Sequence, residues 1–294
     1  MISPLREGAA KLLVNAAEVV GHPRTMDLMN AARSMGRAGT DALPVVIQGG
    51  LATDAYIYVP VARQLERAGF RVEINMVNWH GWDSIHNDAR KLASTIKMTK
   101  AKYGVDQVQI LAHSKGGVIS RRHIQEMGGL DSVSQLVTVG SPHRPITPDV
   151  VASMGMPSGA NKIAELAAGL VQKLPIKING ANDLITDSPI MRRLNGSLPG
   201  FLDRALVTHP GFRITSISTS ANGLKGDGLV PHAASMLEPW LGVRANVRDV
   251  MLDPTLGAND HLRHLHANKG MARTIAGLFA APRQAVDGAA LLPA

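Results

Sequence analysis

A chain of 294 residues with 45% hydrophobic residues suffices for one large domain or two small ones, and at 3% aromatics its core must be largely aliphatic. Cysteine is absent, which excludes disulfides and thiolate metal sites and leaves the compartment open. The formal net charge is +8, but Arg90-Lys91, Lys97, Lys100, Lys102, Arg121-Arg122 and Arg192-Arg193 are dispersed and not interleaved with stacking aromatics, so they read as a solvated basic face and no nucleic-acid surface is expected.

Residues 1–42 read as an N-terminal helical extension. Leu5, Ala9, Leu12, Leu13, Ala16, Val19 and Val20 form one apolar stripe at helical spacing, and Gly21-His22-Pro23 ends it. The helix is expected to pack on the main domain, with peripheral contact to a lipid surface or a partner as the alternative. Met1-Ile2-Ser3-Pro4 lacks a basic leader region, and Glu7, Lys11, Asn15 and Glu18 interrupt any apolar run, so a secretory signal is not expected. No stretch reaches the roughly eighteen apolar residues of a membrane span. The expectation is a cytoplasmic protein, although a secreted chain trimmed of its leader would look the same.

Residues 43–280 read as one α/β domain. Strands are expected at 44–48, 71–77, 107–112, 135–140, 212–218 and 245–252, separated by helices at about 56–68, 83–103, after 112 to about 127, and from about 261 to 279. That alternation predicts a mostly parallel central sheet with helices on both faces. The interval of about 144–210 breaks the alternation and is rich in proline and glycine. Its one clear helical pattern, Ile163, Leu166, Ala167, Leu170, Val171 and Leu174, predicts a helical cap or lid insertion. Residues 281–294 read as a mobile tail.

The chemistry centres on Ala112-His113-Ser114-Lys115-Gly116-Gly117, directly after the apolar run Val108-Gln109-Ile110-Leu111. A strand that ends in small residue, x, Ser, x, Gly and passes straight into a helix is the pattern of a nucleophile elbow, which exposes the serine above the sheet. A serine hydroxyl needs a base, and the base an orienting carboxylate. The acid candidate is Asp227, between Gly226 and Gly228 after the fifth strand, with Asp183, Asp187 and Asp203 as rivals within the insertion. Three histidines follow the last strand. His261 is favoured as base by its place at the loop–helix junction, with His264 and then His266 as alternatives. The oxyanion hole is expected from the backbone N–H of Lys115 and from the turn Gln48-Gly49-Gly50-Leu51-Ala52, with Leu51 preferred as donor over Gly50. His80, Asp83, His86 and Asp88 lie close together, yet helical spacing puts only Asp83 and His86 on one face, so no metal is expected.

These segments together resemble the bacterial lipase and esterase branch of the α/β-hydrolase superfamily. Ala112–Gly117 resembles that family's Ala-His-Ser-x-Gly-Gly elbow, and Val139-Gly140-Ser141-Pro142-His143 its strand end after the elbow. Asp187-Ser188-Pro189 through Leu194-Asn195 is similar to its segment before the acid strand. Asp227-Gly228-Leu229-Val230-Pro231 is similar to its acid loop, and His261-Leu262 to its base position. Two departures stand out. Gly49-Gly50 replaces the usual His-Gly, and Lys115 replaces the usual Met, Gln or Leu, both expected to bear on pocket lining. The resemblance implies a cofactor-free serine carboxylic-ester hydrolase, with Ser114, His261 and Asp227 as the triad, acting on a small-molecule or lipid ester. The amphipathic cap helix points to medium or long acyl chains. The same machinery would serve an acyltransferase, thioesterase or polyester depolymerase, and a non-catalytic binding protein on this scaffold is the remaining alternative.

Overall fold

The computed structural model describes residues 42–51, 53, 55–75, 83–146, 183–184, 188–221, 223–253, 255, 260–261, 263, 265 and 270–280. The N-terminal extension, the 163–174 helix of the expected cap, His264 and the tail lie outside these residues.

Among the described residues six strands form one parallel sheet: β1 (Val45–Gln48), β2 (Val72–Asn75), β3 (Val108–His113), β4 (Val133–Val139), β5 (Arg213–Ser218) and β6 (Val247–Met251), in the order β2-β1-β3-β4-β5-β6. Parallel strands require both faces to be covered, and the helices cover them. On one face lie α2 (Ile85–Tyr103), α3 (Lys115–Glu126) and α4 (Pro189–Thr208), packed on Val46, Ile110, Leu136 and Ile214. On the other, α1 (Val59–Arg67) and the closing helix (Met271–Ala280) pack on Val45, Ile47, Val137 and Ile217. Short helical turns, α5 (His232–Ser235) and α6 (Glu238–Leu241), precede β6, and the closing helix is α7.

Local chemistry sets the helix ends. Ser84 Oγ accepts the Asn87 N–H at the start of α2, and Gly104 ends that helix in the left-handed region at φ 63°. Ser188 caps α4 with Pro189 in the first turn, so the Ser-Pro pair in the sequence marks a helix start. Helix α4 is the crossover from β4 to β5. Its Met191, Leu194, Leu198, Phe201, Leu202 and Ala205 are buried in the core, which leaves only the residues ahead of it for a cap. The closing helix begins at Met271, directly after Gly270 and about ten residues later than the pattern of apolar residues suggested.

The sheet order reverses at β1, whose neighbours are β2 on one side and β3 on the other. Ligand crevices of open α/β sheets form at the carboxyl ends of the strands at such a switch point. The Gly-rich turn after β1 and the elbow after β3 therefore emerge side by side.

Candidate active site

Ser114 is the one non-glycine residue with positive φ among the described residues, at φ 55° and ψ −130°. Such a conformation costs about 1–3 kcal/mol and persists only where its surroundings impose it. Here the Ser114 N–H donates to the Val139 carbonyl at 3.0 Å, and the Gly117 N–H donates to the Ser114 carbonyl at 3.1 Å. The turn also forces backbones together. A Cβ on Gly116 would lie 2.4 Å from the Gln48 carbonyl oxygen, and one on Gly50 would lie 2.7 Å from Ser114 Cβ. The elbow and the turn after β1 thus touch at positions where only glycine fits.

His261 Nδ1 meets Asp227 Oδ2 at 2.7 Å, both residues buried. The other carboxylate oxygen of Asp227 accepts N–H bonds from Leu229 (3.0 Å) and Val230 (2.7 Å), and the His261 N–H donates to the Asp227 carbonyl at 3.0 Å. Burial alone would raise the Asp227 carboxyl. The His261 ring beside it and the two backbone N–H groups outweigh burial and hold it below its ordinary value. The rival acids are engaged elsewhere: Asp183 Oδ2 accepts the Ile85 N–H at 2.8 Å, and Asp203 pairs with Arg244. Asp187 lies outside the described residues.

Sequence reasoning missed the network that ties these parts together. His113 Nε2 lies 2.9 Å from the His261 carbonyl, and Nδ1 lies 2.9 Å from the Tyr58 hydroxyl. A carbonyl only accepts, so Nε2 carries the proton and Nδ1 accepts from Tyr58. Burial pushes the Tyr58 phenol up to about 12, opposed by its contacts with the Thr53 hydroxyl and the Gly50 N–H, so that proton stays in place. The Gly50 N–H donates to Thr53 Oγ1 (3.0 Å) and to the Tyr58 oxygen (3.2 Å), and the Thr53 hydroxyl returns a bond to the Gly50 carbonyl (3.0 Å). The Gly50 amide is thereby committed to the protein itself. The one signal for His113 was its place in the elbow motif; Tyr58 had none.

Lys115 departs from the expectation that its side chain bears on pocket lining. Its ammonium is fully buried, 2.8 Å from Asp88 Oδ2 and 2.5 Å from the Asp83 carbonyl. Burial pushes it down, opposed by Asp88 and, more weakly, by Asp183 and Asp83. Asp88 is thus an ion-pair partner, and Asp83 Oδ1 accepts from the Ser84 N–H and Asn87 Nδ2. Among the described residues no three His, Cys, Asp or Glu side chains are grouped to hold a metal.

Two other motifs meet away from the serine. The Arg121 guanidinium, fully buried, donates to the carbonyls of His143 (3.1 Å) and Leu194 (3.0 Å), to Asn195 Oδ1 (3.0 Å) and to Gln125 Oε1 (2.9 Å). The Ser-Pro-His and Leu-Asn segments therefore serve as acceptors for one arginine, which burial pulls down to about 9.

No family model and no curated protein matches the sequence. Solved structures match the fold. The mature form of Bacillus licheniformis lipase BlEst2 aligns over 83% of this chain and 94% of its own, at 17% identity and a TM-score of 0.56. Its propeptide form aligns over 84% of this chain, which spans about half (52%) of that form. The lin2722 product of Listeria innocua aligns over 83% and 96% at 16% identity and TM-score 0.56. The α/β hydrolase MGS-MChE2, from a lagoon-sediment metagenome, aligns over 83% and 96% at 18% identity and TM-score 0.51. The chain shares the α/β-hydrolase fold with these structures.

Proposed function

We propose that this chain, an α/β-hydrolase by fold, is a serine carboxylic-ester hydrolase. The observation that carries the reading is the strained Ser114 at the end of β3 together with a buried Asp227–His261 pair, whose histidine backbone is bonded by the ring of His113, the residue before Ser114. Asp227 accepts the Nδ1 proton of His261, which makes Nε2 the basic nitrogen. Nε2 takes the Ser114 hydroxyl proton as Oγ attacks the ester carbonyl, then hands that proton to the departing alkoxide. Water repeats the sequence on the acyl-enzyme, so the chemistry needs no cofactor.

The Lys115 and Leu51 amides hold the developing oxyanion, each such donor being worth about 3 kcal/mol of barrier. Leu51 is preferred because the neighbouring Gly50 amide is already bonded to Thr53 and Tyr58. The acyl chain is medium or long. Exposed Tyr56 and Leu229, close in sequence to the oxyanion turn and to Asp227, support an apolar substrate.

A fluorophosphonate probe tests the nucleophile by intact mass. One adduct on the parent and none on Ser114→Ala is expected, and labelling that survives the substitution overturns the assignment. A series of esters from acetate to laureate tests the chain length, with equal rates across the series counting against an apolar acyl site.

A further inference from the structure

The residue after the proposed nucleophile carries a side chain that the ester chemistry above does not use. Lys115 opens α3, and its buried ammonium crosses to the start of α2, where it meets the Asp88 carboxylate at 2.8 Å and the Asp83 carbonyl at 2.5 Å. The same end of α2 is held by a third segment, since Asp183 Oδ2 accepts the Ile85 N–H at 2.8 Å. Neither partner of the ion pair has any exposed side-chain surface. A buried pair of this kind is a poor source of stability, because desolvation of two ions offsets their attraction and an apolar pair of equal volume does as well or better. What it supplies is direction. An ammonium between a carboxylate and a carbonyl defines where the chain that carries it must sit, whereas a methionine would slide.

We propose that the Lys115–Asp88 ion pair is a positioning device that clamps the first residue of α3 onto α2 and so fixes the Lys115 amide at the oxyanion hole. This rests on the hydrolase reading above. An amide held in place matters most when negative charge develops on the substrate oxygen, so the clamp acts on kcat and leaves KM alone.

The test is the double variant Lys115→Met/Asp88→Leu, which removes both charges at similar volume, beside Lys115→Met alone, which takes the ammonium away from a buried carboxylate. The expected double variant melts no lower than the parent and hydrolyses p-nitrophenyl butyrate with kcat lower by about tenfold and KM within twofold. Its amides 114–117 exchange with deuterium faster, while those of β5 and β6 are unchanged. Parental kcat with parental exchange overturns the clamp, as does a kcat loss matched by an equal rise in KM. A lower Tm in Lys115→Met, restored in the double variant without restored kcat, supports it. If the parent hydrolyses no ester and takes no fluorophosphonate label, the hydrolase reading falls, and the exchange at 114–117 decides the clamp by itself.

Discussion

At the scale of single residues, the site is a set of atoms with few spare hydrogen bonds. Asp227 spends one oxygen on His261 and the other on two backbone amides, so it fixes both the imidazole and its own loop. Asp227→Asn keeps the shape and removes the carboxylate that selects the Nδ1–H form of His261. Its expected consequence is a loss of about 10⁴-fold in kcat, as for an amide in this position of a triad, with a fold intact by circular dichroism. Tyr58 is one atom richer than phenylalanine, and that atom serves both His113 Nδ1 and the Gly50 amide. Tyr58→Phe leaves a buried imidazole nitrogen without its donor and is expected to cost about 1–3 kcal/mol in urea unfolding. Because His113 also holds the His261 carbonyl, the same variant is expected to lower kcat several-fold. Imidazole ¹⁵N shifts check the cause: the Nε2–H form of His113 in the parent, and a changed tautomer ratio in the variant.

At the scale of elements, what could be read in advance was what is local. The strands are short apolar runs ended by turn residues, and all six start and stop within about two residues of their expected bounds because both faces of a parallel sheet must be apolar. The elbow was legible for the same reason, and the pairing of Asp227 with His261 followed from their order after the fifth and sixth strands. The partners of Lys115 and Arg121 were not legible, since they lie 27 and up to 74 residues away and depend on how α2, α3 and α4 pack. A sign was present in hindsight. Asp88 falls on the apolar stripe of Ile85, Ala89, Leu92 and Ile96, and a carboxylate on a buried stripe demands a buried cation. Arg121 makes an element-scale prediction, because its fork joins α3 to α4 and to the turn after β4. Arg121→Lys keeps the charge but cannot reach four acceptors at once, so buried acceptors such as the His143 carbonyl lose their donor. Unfolding in urea is expected to show a loss of about 2–4 kcal/mol, with kcat per folded molecule within twofold of the parent. A large kcat loss at unchanged stability would instead place Arg121 in the chemistry.

At the scale of the whole molecule, buried histidines set how stability responds to acid. His123 on α3 is buried, and neither ring nitrogen has a hydrogen-bond partner among the described residues; burial pulls it down from 6.5 to about 4. His143 is fully buried and, through burial and then the nearby Arg121, held well below its ordinary value. Both are neutral in the folded state and free to take a proton once unfolded. Above about pH 6.5 neither state binds the proton and there is no effect. As the pH falls from 6.5 toward 4 the unfolded chain binds protons that the folded chain refuses, so stability declines with a slope of up to about 1.4 kcal/mol per pH unit per histidine. Asp227 acts in the same sense but lower: its carboxyl is held below 3.8 in the folded state, so its contribution persists through this window and is lost only in stronger acid. Over the full window His123 is expected to contribute about 3 kcal/mol of acid destabilisation. His123→Met fills a similar volume with a side chain that does not titrate. Urea midpoints at pH 7, 5.5 and 4.5 are expected to fall steeply in the parent and, in the variant, with a slope smaller by about one proton. Equal slopes in the two proteins would mean that His123 is protonated in the folded state as readily as in the unfolded chain, and that acid sensitivity arises at other groups.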